Sequence, residues 1–117
     1  MSSNIKKIKP ILPSLREKKR YLVYESVSEM KIQYNYIKRS INSAILSYIG
    51  ELGYANAGII ILPENKNTKG ILRVNTKYLD KVKASLTLIE SINKERVIVK
   101  SVGVSGTLKK AKQKFMI

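Results

Sequence analysis

An α+β fold of the ferredoxin-like type, with two helices packed on one face of a four-stranded antiparallel sheet, is the architecture that three observations predict. The periodicities along the chain follow the order β-α-β-β-α-β, that of the split βαβ unit. At 117 residues there is enough chain for one hydrophobic core and not for two. The 44% hydrophobic content is globular, and the longest apolar run, Gly58 to Leu62, is far too short to cross a bilayer.

Each element has its own warrant. Residues 1–15 alternate basic and apolar side chains around Pro10 and Pro13, which bar a continuous helix and make a basic flexible arm. The domain proper is expected over 16–104. Its first strand is Tyr21 to Ser28, rich in aromatic and β-branched residues. From Gln33 to Leu52, Ile37, Ile41, Ala44, Ile45, Tyr48 and Leu52 recur at helical spacing, and Gly53 is the expected stop. Ala55 to Leu62 predicts a second strand, joined through the polar turn Pro63 to Gly70 to a third built on Ile71, Leu72 and Val74. A second helix is expected from Thr76 to Ile92, with Asn75 or Thr76 as its cap, and a fourth strand from Arg96 to Val104. Residues 105–117 close the chain with a short basic helix, Leu108 to Phe115, capped from Ser105-Gly-Thr107.

This architecture leaves one sheet face without helices. The second and fourth strands are apolar at consecutive positions, so both of their faces require cover. Either the terminal helix or a partner protein supplies it. In the second case Ile59, Ile61, Val97 and Val99 are the expected contact residues.

Charge limits function further. The chain holds 23 basic and 8 acidic side chains, a net +15, and the excess sits at the two ends. A polyanion is the default partner, and nucleic acid precedes membrane because no basic helix carries a Trp- or Phe-rich apolar face. With no cysteine and no histidine, thiolate chemistry and the commonest general base are excluded, and the scattered carboxylates form no acid-base or metal pair. No active site is expected on this chain. Arg73 and Lys77 crowd the positive end of the second helix, an arrangement that an anion such as a phosphate would relieve. RNA-recognition modules of this fold carry stacking aromatics on the third strand. Here Lys69, Gly70 and Val74 fit that pattern but Ile71, Arg73 and Thr76 occupy the stacking positions, so binding through phosphates is expected instead. Of the tyrosines, Tyr21, beside Lys19 and Arg20, is the one best placed to touch RNA.

Three blocks, Leu12 to Leu22, Lys69 to Tyr78 and Val104 to Ala111, resemble in order the signature blocks of archaeal ribonuclease P protein component 2, over nearly the whole chain. The resemblance implies a subunit of the ribonucleoprotein that removes the 5′ leader of precursor tRNA. In it the RNA is the catalyst and holds Mg²⁺, while the protein, with no cofactor of its own, stabilises the catalytic domain. It further implies a partner, the TIM-barrel-like component 3, in a two-plus-two assembly that would take up the surplus apolar strand surface. Carried onto this chain, it places RNA contacts at Arg16, Lys18, Lys19, Arg20, Arg73, Lys77, Ser105, Thr107, Lys109 and Lys110. Lys112 and Lys114 join them if both basic ends clamp the backbone. With no export signal visible, the expected place of action is the cytoplasm. A ribosomal-type RNA-binding protein would share charge and fold but lack a dedicated protein partner. A ferredoxin-like ligand sensor is disfavoured by the charge, and a nuclease acting alone by the absence of a carboxylate or histidine cluster.

Overall fold

The computed structural model describes residues 18–116, and the arm expected over 1–15 lies outside them. Strands β1 (Lys19–Val27), β2 (Ile60–Lys66), β3 (Lys69–Asn75) and β6 (Ile98–Ser105) form one antiparallel sheet in the order β2-β3-β1-β6. Helices α1 (Tyr34–Ala57) and α2 (Leu79–Leu86) lie on one face, and the crossovers are those of the ferredoxin-like fold. A two-stranded hairpin, β4 (Ser91–Ile92) with β5 (Glu95–Arg96), stands between α2 and β6, and α3 (Leu108–Phe115) closes the chain.

Strand β1 is central and has neighbours on both edges. Leu22, Val23 and Tyr24 are buried in succession because both faces are covered. Leu22 and Tyr24 face α1 and α2 among Ile37, Ile41, Ile45, Leu72, Val74, Val82 and Leu86. Val23 and Ile71 face the other way, under Ala111 and Met116, with Leu108 and Phe115 at the margin. The terminal helix therefore covers the face that the helix pair leaves open. Gly103 makes this possible, since a Cβ there would overlap the Phe115 ring.

Several boundaries depart from expectation. Helix α1 continues past Gly53 to Ala57; its break falls at Gly50 (φ 79°, ψ 172°), and its stop is Gly58 in the left-handed region (φ 63°). The second helix is much shorter than Thr76 to Ile92. A 3-10 turn occupies Thr76–Tyr78, and after Leu86 the amides of Thr87, Leu88 and Ile89 bond three residues back. The hydroxyls of Ser85 and Thr87 donate to the carbonyls of Val82 and Ala84 at 2.7 Å each, competition that ends helices early. Both hairpins turn on two residues of positive φ, Asn67-Thr68 (53° and 74°) and Asn93-Lys94 (53° and 70°), as type I′ turns require. In β2 the register shifts between Ile61 and Asn65, where Pro63 has no amide to give to the ladder.

Candidate nucleic-acid interface

The register brings three distant segments to one end of the sheet. Strand β1 begins where β3 and β6 finish: Lys19 pairs with Asn75, Arg20 with Val74, Tyr21 with Arg73 and, on its other edge, with Ser105. The backbone and hydroxyl of Thr76 both reach the carbonyl of Lys18, at 2.8 and 3.0 Å, fixing the start of β1 to the turn that carries Lys77. Helix α3 departs from the same end, so Lys109 and Lys110 in its first turn join the group.

Within this cluster the side chains divide by role. Lys18, Lys77, Lys109 and Lys110 are exposed. Lys19 is turned inward, its ammonium on the amide oxygen of the buried Asn75, whose own amide donates to the Asn56 carbonyl at 2.6 Å. Asn75 thus ties α1 to β3, and neither it nor Thr76 supplies the expected side-chain cap. Arg20 donates to the Lys19 carbonyl at 3.0 Å. Thr107 caps α3 by accepting from the Lys110 amide at 3.2 Å, and Ser105 accepts from the Thr107 amide at 3.4 Å. Their hydroxyl oxygens shape the turn and leave each O–H free to donate outward.

The electrostatics are one-sided. Among the described residues the ion pairs are Lys100 with Glu25 and Lys112 with Glu64, neither at this end. The first turn of α3 holds no acid, so two lysines face its positive end unneutralised. Lys81 was absent from the sequence expectation. It lies one helical turn beyond Lys77 and places its ammonium 5.7 Å from the centre of the Tyr78 ring, and the four-residue spacing is the signal that could have found it. Asp80, in the first turn of α2, is the acid nearest these lysines in sequence, and no ion pair joins it to them among the described residues.

Similarity to known proteins follows the same boundaries. The Rpp14/Pop5 family profile matches residues 20–116, nearly all of the described fold and the basic end apart from Lys18 and Lys19. The chain belongs to the Rpp14/Pop5 family. Ribonuclease P protein component 2 of Pyrococcus furiosus is 39% identical over 109 residues, 92% of this chain and 91% of that protein. Its counterpart in Archaeoglobus fulgidus is 37% identical over 109 residues, 93% and 98% of the two chains. A chain in the cryo-EM structure of yeast ribonuclease MRP shares the fold, with a TM-score of 0.61 at 15% identity over 79% of this chain and 76% of its own.

In this Rpp14/Pop5 member the remaining expected contacts fall elsewhere. Arg16 lies outside the described residues. Lys112 and Lys114 are in the last turn of α3, where Lys69, from the hairpin end of β3, donates to the Phe115 carbonyl at 3.1 Å. That end of β3 is roughly 20 Å from Asn75 at the strand rise. Lys112 Nζ is 3.0 Å from Glu64, whose carboxyl its hydrogen bond holds below the usual range. Ile61, Val97 and Val99, expected at a partner surface, are buried in this chain's own core, and Ile59 packs against it. The expectation had the wrong parity. The exposed large apolar residues of those strands are Ile60 and Ile98, the alternates of Ile61 and Val99 across the pleat.

Proposed function

We propose that this chain is a protein subunit of ribonuclease P, acting in removal of the 5′ leader of precursor tRNA by binding and stabilising the catalytic domain of the RNA. The observation that carries the reading is the convergence of Lys18, Lys77, Lys109 and Lys110 at one sheet end without an ion-paired acid, in a chain of the Rpp14/Pop5 family. A folded RNA core forces phosphates together, and a fixed set of cations beside them lowers that repulsion. The chemistry belongs to the RNA and to Mg²⁺ bound there. On this chain no cofactor is expected, and no step is assigned to one of its side chains. The TIM-barrel-like component 3 is the proposed protein partner, in a two-plus-two assembly, and the cytoplasm the proposed place of action.

The test is leader cleavage by the archaeal ribonuclease P RNA at moderate Mg²⁺, with this chain and component 3 added singly and together. Activation that requires the pair is the expected result. No activation, with binding to ribosomal RNA intact, would replace this reading by the ribosomal-type one, and cleavage by the chain alone would place an active site on it.

A further inference from the structure

We propose that Tyr21 and Arg73 form a stacking site for one unpaired nucleobase, on the margin of the sheet face that α3 leaves uncovered. The inference rests on the RNA-binding reading above and names the part of the RNA that this face takes. Tyr21 and Arg73 are directly opposed on the two central strands, and the row continues to Ile60 on β2 and Ser105 on β6. One row further in, Ile71 and Val23 are fully buried under α3, and Phe115 lies over Gly103. The outer row differs: Ile60 is 43% exposed, and Tyr21 and Arg73 keep part of their surface. Helix α3 therefore closes the interior of the face, and Tyr21, which packs against the cluster that α3 completes, stands at its partly open margin.

The pair has the chemistry of a base platform. Unpaired bases stack on tyrosine rings and on the guanidinium plane of arginine, and directly opposed cross-strand residues are the closest such pair a sheet offers. Arg73 is not spent within the fold. Its Nε is buried without a hydrogen-bond partner among the described residues, and neither ion pair there includes it. Exposed Lys109 and Lys110, leaving from the Ser105 end of the row, and Lys18 at the start of β1 supply charge for the flanking phosphates. Paired bases cannot present a face to such a platform, so the site selects a single-stranded loop or bulge over a helix. Along β3 alone stacking is unexpected, because Ile71, Arg73 and Thr76 are not aromatic. The cross-strand partner of Arg73 supplies the missing ring.

The chain has no tryptophan, so Tyr21→Trp installs a single reporter. Its emission should be quenched by a short single-stranded RNA of mixed sequence and unaffected by the duplex of the same length. In parallel, Tyr21→Ala and Arg73→Lys should weaken single-strand binding about five- to a hundredfold and leave the salt slope unchanged, because the phosphates neutralised are the same. Tyr21→Phe should bind as the parent does, which separates stacking from loss of fold. Equal single-strand affinity of Tyr21→Ala and the parent would overturn the stacking site while leaving the basic end as an RNA contact. Failure of the parent to bind any RNA would overturn both. Ring-dependent binding without activation of ribonuclease P RNA would keep the site and reject the subunit role.

Discussion

Tyr24 is the largest of the fully buried side chains, and its polar tip is satisfied by a second tyrosine. Tyr34 donates to the Leu62 carbonyl at 3.0 Å, which leaves its oxygen to accept from Tyr24 at 2.6 Å. Burial pushes both phenols above the ordinary value of 10.0. Below that value both states are neutral; above it the unfolded chain ionises while the folded chain resists, so stability falls as pH rises past about 10. Denaturant midpoints measured upward from neutral pH should show that fall. Tyr24→Phe should lower stability by about 1 kcal/mol at neutral pH, through loss of one hydrogen bond, and flatten part of the alkaline slope. Thr68 gives a prediction of opposite sign. It is β-branched at φ 74°, held there by the Ser26 amide on its carbonyl at 3.0 Å. Thr68→Gly relieves that strain and should raise the thermal midpoint, a gain of about 1 kcal/mol once the entropy of the added glycine is subtracted.

The third helix shows how a short element becomes stable through what it covers. Eight residues are too few to hold helical form alone in water. Docking on Val23 and Ile71, capping by Thr107, and the Lys69 donor at its carboxyl end supply the difference. Phe115→Ala should cost about 2–3 kcal/mol by chemical denaturation, and Gly103→Val should cost at least as much, because the ring would lose its seat. Its bounds were legible, since Ser105-Gly-Thr107 announces a cap and Leu108, Ala111 and Phe115 repeat at helical spacing. The end of α2 was not. Ile89 and Ile92 continue the apolar spacing of Val82 and Leu86, yet Ile92 is buried from a strand, and a turn on Asn93-Lys94 carries no glycine to mark it. In α1, three glycines compete to end one helix, and only backbone dihedrals tell that Gly50 breaks it and Gly58 stops it. Face parity failed for a similar reason: Ile59 to Leu62 is apolar throughout, so nothing in that run says which residues point inward.

At the scale of the whole molecule, a chain with its charge at both termini gathers part of it at one end of one sheet, because β1 starts where β3 and β6 finish. Charge sign and fold class could be read from the sequence. Which lysines would meet required the register, and the ion pair with Glu64 sets Lys112 apart from Lys109 and Lys110 on the same short helix. The measurement that tests this most directly is the salt dependence of binding to ribonuclease P RNA, for the parent and for two variants. Replacing Lys18, Lys77, Lys109 and Lys110 together by Ala should make the log-log slope shallower by about 0.7–0.9 for each phosphate that is no longer neutralised. Replacing Lys112 and Lys114 should leave the slope close to that of the parent. An unchanged slope in the first variant, or a larger change in the second, would contradict the assignment of RNA to this end of the sheet.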